Sequence, residues 1–261
     1  MTNIVVLVKQ VPDTYSERKL NGSDHTLDRE SADAVLDEIN EKAVEEALKI
    51  KEAGEGEVTV ISVGPDRATD AIRKALSMGA DKAIHVSDEA LHGSDAIATA
   101  KVLAAAISKV EGFDLVIAGN ESSDGRGGAV PAILAELLGL PQVTYVRELT
   151  VEGSTIKATR ETEDGLTRLE ANLPAVVSVG EKINEPRYPS FKGIMAAKKK
   201  PVEKFTIADL GIDAGEVGLA NAWSAVTESS PKPPRTAGEK VEDEGDGGTK
   251  VAEYLVGQKL I

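Results

Sequence analysis

The feature that most limits what this chain can become is a recurring run of about five apolar residues followed by a segment of helical period. Such runs stand at residues 3–8, 57–63, 82–86 and 114–119. They are apolar on successive rather than alternate residues, so each strand needs cover on both faces. Between the first two runs, Ile39, Ala43, Val44, Ala47 and Leu48 fall on one stripe of a helix expected over residues 31–53. Gly54 and Gly56 stop it. Further helices are expected over 68–77, entered through Asp66 and stopped at Gly79; over about 95–110, capped by Ser94 or Asp95; and over about 130–138, closed by Gly139 and Pro141. Strand–helix alternation of this kind predicts an α/β fold with a doubly wound, mostly parallel sheet.

After Pro141 the rhythm changes. Residues 144–150, 155–161, 167–172 and 175–179 read as strands without intervening helices, with Glu152-Gly153 and Asp164-Gly165 as hairpin turns. The expectation is a group of antiparallel strands added to the parallel sheet. Residues 229–248 contain PKPPR and EDEGDGG, too polar and too rich in Pro and Gly for a core. Beyond them, Val251, Tyr254 and Leu255 stand at helical spacing. The combination reads as an extended C-terminal arm whose apolar end packs on another chain.

Composition removes several kinds of chemistry. The chain has no Cys, which excludes thiol catalysis, disulfides and thiolate metal sites. Its net charge of -14 and 3% aromatic content argue against nucleic-acid binding. Its apolar runs fall far short of the roughly 20 residues a membrane span needs. The N-terminal residues carry no basic region ahead of an apolar one, so a secretory signal is not expected and a cytoplasmic location is. No P-loop, HExxH or GxSxG motif occurs, and Val130 stands where the last glycine of GxGxxG would. No metal site or catalytic residue is expected.

One loop has chemical promise: Gly119-Asn120-Glu121-Ser122-Ser123-Asp124-Gly125-Arg126-Gly127-Gly128-Ala129-Val130-Pro131. It leaves a buried strand and enters a helix, where backbone N–H groups and the helix dipole favour an anion. Gly127 and Gly128 admit a phosphate close to the backbone, and Ser122, Ser123 and Arg126 add donors.

Two stretches resemble a known family. They are ATRETEDGLTRLEANLPAVVS at residues 158–178, and Asn184-Glu185-Pro186-Arg187-Tyr188 followed by Ile194-Met195 and three lysines at 198–200. Together they are similar to the signature of the beta subunit of electron transfer flavoprotein. Supporting matches are Val8-Lys9-Gln10-Val11-Pro12-Asp13, Ala43-Val44-Glu45-Glu46-Ala47, Ser62-Val63-Gly64-Pro65, Ala75 to Asp81, and Pro233, Arg235, Thr236, Ala237 and Gly238. Thr167 departs from the Glu or Gln usual there, and the DGRGGAVP loop departs from a commoner acidic, Gln-containing version.

The resemblance implies an electron-carrier subunit rather than an enzyme. It implies an obligate heterodimer with an alpha subunit holding most of the FAD contacts. Electrons would come from acyl-CoA and related dehydrogenases, as in fatty acid beta-oxidation, and pass to a quinone oxidoreductase. It implies an adenine-nucleotide alpha-hydrolase-like sheet, with the first and fourth strands adjacent, holding one structural AMP. Carried over residue by residue, the AMP positions are Leu7, Val8 and Lys9; Asp37, Glu38, Ile39 and Asn40; Val63; and Asn120, Glu121, Ser122, Ser123, Asp124, Gly125, Arg126, Gly127, Gly128, Ala129 and Val130. Asp37 and Asn40 also fit a solvated face of an acidic helix. Phe191 takes the place of the family's docking anchor, with Tyr188, Ile194 and Met195 beside it and Glu161 at a family acid near that interface. The domains expected are 1–190 for the nucleotide, 191–228 for partner recognition and 229–261 for the arm. Alternatives are a stress-protein type nucleotide-binding module and an electron-bifurcating variant with a second FAD in place of AMP.

Overall fold

The computed structural model describes residues 2–235, 237, 238 and 240–261. Thr236, part of the tail match above, lies outside the described residues. The elements run β1 (Ile4–Leu7), β2 (Gln10–Pro12), β3 (Ala34–Leu36), α1 (Glu38–Ala53), β4 (Val58–Val63), α2 (Thr69–Met78), β5 (Lys82–Val86), α3 (Ala96–Ile107), β6 (Leu115–Gly119) and α4 (Val130–Leu138). The second half continues β7 (Gln142–Glu152), β8 (Thr155–Thr162), β9 (Gly165–Asn172), β10 (Ala175–Val179), α5 (Phe191–Ala197), β11 (Val202–Phe205) and α6 (Gly247–Gly257).

The expected α/β class holds. A nine-stranded sheet has the order β11-β5-β4-β1-β6-β10-β7-β8-β9, parallel except where β8 pairs with β7 and β9. β1 lies between β4 and β6, so the first and fourth apolar runs are neighbours. Alternate residues of the central strands face opposite layers. Ile4, Val6, Leu115 and Ile117 enter a core with α1 and α2, and Val5, Leu7, Val116 and Ala118 enter one with α3 and α4. This two-sided burial is why the runs carry no polar alternation.

Three local expectations are corrected. The helix expected from residue 31 begins at Glu38, because Asp37 caps it by accepting from the N–H groups of Ile39 and Asn40. Residues Ala34–Leu36 instead pair antiparallel with β2. Asp66 does not cap α2; it opens a short 3-10 turn, Asp66–Ala68, ahead of that helix. Ala175–Val179 is not antiparallel. It inserts between β6 and β7, parallel to both, and so belongs to the central sheet. Asp95, of the two candidates, caps α3.

The chain divides into two compact units, the first running to Thr227 and the second covering Glu228–Ile261. Within the second, α6 buries none of its residues, and Val251, Tyr254 and Val256 are exposed. No described helix is long and apolar enough to cross a membrane.

Candidate functional site

The carboxyl edge of β4, β1 and β6 is where the sheet reverses direction, the usual position of a ligand crevice in such folds. The segments carried over for the nucleotide meet there. α1 is capped by Asp37, whose side chain is fully buried. Its Oδ1 caps α1, and its Oδ2 accepts the Ser123 N–H from the loop after β6 at 2.7 Å. Asn40 Oδ1 accepts the Lys9 N–H at 2.7 Å. A Cβ on Gly119 would lie 2.6 Å from Asn40 Nδ2, so only glycine lets α1 approach the end of β6 this closely. The solvated-face reading of Asp37 and Asn40 is thereby overturned: both tie α1 to two strand ends. Glu38 alone of that group is exposed.

Charge is balanced inside the loop. Asp124, with a side chain 2% exposed, receives Lys9 Nζ at 2.8 Å and lies 3.7 Å from Arg29 Nη2. Burial opposes its ionisation, but Lys9, Ser122 and Arg29 outweigh burial and hold the carboxyl below its ordinary range. Lys9 Nζ also donates to Ser122 Oγ at 3.2 Å, and Arg18 Nη1 donates to Ser123 O at 2.8 Å. Arg18 and Arg29 come from the polar stretch after β2, which carries no hydrophobic period by which to place it.

Beyond Asp124 the loop opens. Gly125, Arg126, Gly127 and Ala129 are exposed, and Arg126 and Gly128 both adopt left-handed backbone. α4 starts with no side-chain cap, so its first N–H groups point out unclaimed by a side chain. Asn120 Oδ1 and Ser123 Oγ are buried without hydrogen-bond partners among the described residues. Leu7 and Val8 are buried at the end of β1, Val63 is half-buried at the end of β4, and Glu121 and Val130 are half-buried at either end of the loop. The arrangement offers uncapped amides and an exposed cation, Arg126, whose Nη1 lies 3.5 Å from Glu121 Oε1, to an anion, with unpaired polar atoms deeper in.

The docking candidates lie elsewhere. Phe191 opens α5 with 80% of its surface exposed, beside exposed Tyr188, Ile194 and Met195. Phe191 is therefore not a core residue. α5 is fixed from behind. Ser190 caps it through the Gly193 N–H, and a Cβ on Gly193 would lie 2.4 Å from Ser77 O of α2. Arg73 Nη1 donates to Ala197 O at 2.6 Å and Lys200 O at 3.0 Å. Lys200 Nζ donates to Leu76 O and Ala80 O, satisfying carbonyls at the end of α2. Upstream, Arg187 grips Glu45 and Glu52 of α1, while Asn184 Nδ2 donates to Lys42 O and Glu46 Oε2. Glu161, on β8, is held by Lys182 at 2.9 Å and Arg147 at 3.4 Å. Its carboxyl sits below the ordinary range, chiefly through the Lys182 hydrogen bond. Arg73, Gly193 and the Arg187 clamp were not singled out as functional from sequence, since their partners lie more than a hundred residues away.

Comparison with known proteins gives the family. Residues 24–210 match the family described as electron transfer flavoprotein domain. The chain is 65% identical, over the whole of both chains, to the electron transfer flavoprotein subunit beta of Mycobacterium tuberculosis and to that of Mycobacterium leprae. It is 37% identical to a caffeyl-CoA reductase-Etf complex subunit of Acetobacterium woodii, over 91% of each chain. The chain belongs to the electron transfer flavoprotein family, among its beta subunits, which carry electrons and turn over no substrate of their own.

Proposed function

We propose that this subunit pairs with an electron transfer flavoprotein alpha subunit to form a heterodimer, accepts electrons from acyl-CoA and related dehydrogenases, and delivers them to a quinone oxidoreductase. The FAD is held mainly by the alpha subunit and supplies the one- and two-electron chemistry when bound. This chain contributes a structural AMP site, a docking helix and an arm that clasps the partner.

The observation that carries the AMP reading is the buried Asp37, which joins the start of α1 to the loop after β6 through Ser123. That bond, with Asn40 on Lys9, gathers the ends of β1 and β6 around one crevice. The residues fit an adenosine monophosphate. Uncapped amides at α4, the Gly127-Gly128 backbone and Arg126 suit a phosphate, and the unpaired Ser123 Oγ and Asn120 Oδ1 suit polar edges of the nucleoside. Leu7, Val8, Ile39 and Val63 supply apolar surface nearby. Their role is to bind and orient, and to keep water from the strand ends.

Docking to dehydrogenases is assigned to Phe191, with Tyr188, Ile194 and Met195 around it. An exposed aromatic on a helix braced by α2 has few rotors to immobilise, which suits a short-lived electron-transfer encounter. The domain division follows: nucleotide binding in residues 1–190, partner recognition in 191–228 and the clasping arm in 229–261. The test is to purify the heterodimer, denature it and quantify what is released. One FAD and one AMP per heterodimer support the reading; two flavins make it the bifurcating variant, and an absence of flavin overturns it.

A further inference from the structure

We propose that Tyr145 is a ligand-contacting residue of the nucleotide pocket, its phenol hydroxyl donating a hydrogen bond to the phosphate held over the Gly127-Gly128 turn. The inference rests on the nucleotide reading above and adds a residue from a strand that none of the segments assigned to the pocket uses.

The starting point is an outlier. Tyr145 has φ of 57°, in the left-handed region that a bulky residue seldom enters. Among the described residues, four non-glycines have positive φ, and two of them bear on the turn at Gly128, Arg126 from within the turn and Tyr145 through its hydroxyl. Left-handed backbone in β7 comes from a bulge. Val143 pairs with Val177 and Val146 with Val179, so Thr144 and Tyr145 together face the single residue Ser178. A bulge leaves an N–H without its ladder partner and re-aims a side chain. Here the orphan is provided for: the Tyr145 N–H donates to Ser178 Oγ at 3.1 Å. On the other side Arg160 Nε donates to Thr144 O at 2.8 Å, and Nη2 to Thr144 Oγ1 at 3.2 Å. Two side chains from neighbouring strands thus hold the strained pair in place.

What the bulge achieves is the position of the phenol. A Cβ added to Gly128 would lie 3.0 Å from Tyr145 Oη, so the hydroxyl stands against the phosphate-loop backbone. The side chain remains part-exposed, and no hydrogen bond to Oη is present among the described residues. Ser123 Oγ and Asn120 Oδ1, in the same loop, are buried and equally unpaired. Glycine would meet the left-handed backbone at lower conformational cost. The tyrosine keeps a strained backbone and gains no hydrogen bond within the chain for its hydroxyl, the pattern of a group held ready for a ligand.

The experiment is calorimetric titration of the nucleotide-free full-length chain with AMP and, separately, with adenosine, for wild type and Tyr145→Phe. The hydroxyl's bond to a charged phosphate is worth about tenfold in affinity. The Phe variant should therefore lose about tenfold for AMP and nothing for adenosine. If wild type binds no AMP and releases none on denaturation, the parent nucleotide reading is overturned. If wild type binds AMP and the Phe variant matches it, or loses equally for AMP and adenosine, the Tyr145 assignment alone is overturned. Tyr145→Gly supplies a second arm. It should melt no lower than wild type, since the backbone strain is relieved, yet bind AMP at least as weakly as Tyr145→Phe. A lower melting temperature with unchanged AMP affinity would assign Tyr145 to packing and refute the proposal.

Discussion

Arg187 Nε lies 2.8 Å from Glu45 Oε2, joining the segment before α5 to a carboxylate on α1 that is only 5% exposed. A second carboxylate, Glu52, meets the same guanidinium, and the fork geometry suits arginine alone. Since Asp37 and Asn40 anchor the other end of α1 to the ends of β1 and β6, one helix supports both proposed sites.

Arg187→Ala takes both guanidinium bonds from Glu45 and leaves that carboxylate the backbone N–H of residue 187 at 3.1 Å. The expected loss is roughly 2–3 kcal/mol, below the figure for a wholly buried pair because Arg187 is itself part-exposed. Arg187→Lys should recover only part, as it cannot engage both carboxylates. Thermal melts of the three proteins check this, and equal melting temperatures would show the clamp to be idle.

Asp124 gives a pH dependence with a defined sign. Its folded-state carboxyl is held below the ordinary value of 3.8, so its contribution to stability is complete above that value and is lost as the pH falls through the lower folded one. Asp124→Asn removes the anchor of Lys9 and Arg29 and should cost about 2 kcal/mol at pH 7. The gap between variant and wild type should close on acidification below 3.8. Denaturant unfolding over a pH series measures it.

Phe191→Ala should weaken docking by roughly thirtyfold, about 2 kcal/mol, through a higher dissociation rate. Because Phe191 is 80% exposed, the melting temperature and nucleotide content should stay as they are. Electron transfer from an acyl-CoA dehydrogenase, followed as a function of carrier concentration, reads the change. A variant melting several degrees lower would place Phe191 in the fold's support instead.

Gly193→Ala tests the helix behind that residue. The added methyl would meet Ser77 O at 2.4 Å, so α5 must move off α2 despite alanine's better helix propensity. A loss of about 1–3 kcal/mol is expected, with dehydrogenase transfer falling while AMP is retained. Unchanged transfer would mean that the pose of α5 is immaterial to docking.

Deleting residues 250–261 removes most of α6, whose Val251, Tyr254 and Val256 are exposed. The heterodimer should dissociate more readily, while the melt of the isolated subunit barely shifts. Native assembly by the truncated chain, measured by analytical ultracentrifugation, would remove the arm's assigned role.

How much of this was legible in the sequence follows from the range of each interaction. The four apolar strands and the bodies of the helices after them rest on local period and stand where it put them, while the start of α1 moved from residue 31 to Glu38. The parallel insertion of Ala175–Val179 did not show, because its partners lie at Leu115–Gly119 and in β7 and no local pattern encodes strand order. Asp37 and Asn40 looked like part of an acidic, solvated face. Their burial comes from Gly119 and Ser123, some eighty residues on, which let the backbone close over them. Tyr145 gave no signal, since its bulge depends on Ser178 and Arg160 in two other strands. Phe191, the proposed docking anchor, was singled out only through the Asn-Glu-Pro-Arg-Tyr resemblance. Periodicity says nothing of a seven-residue helix with one buried side chain.

The place of β10 also fixes an order of events during synthesis. β1, β4, β5 and β6 can pair as soon as Gly119 has emerged, but the free side of β6 then waits for some sixty residues, through α4 and the whole β7–β8–β9 meander, before Ala175 arrives. Throughout that interval the growing chain carries the unpaired backbone of Leu-Val-Ile-Ala-Gly along one margin, a template for association with another nascent chain. A premature stop between residues 119 and 179 would leave a fragment with that edge of β6 uncovered.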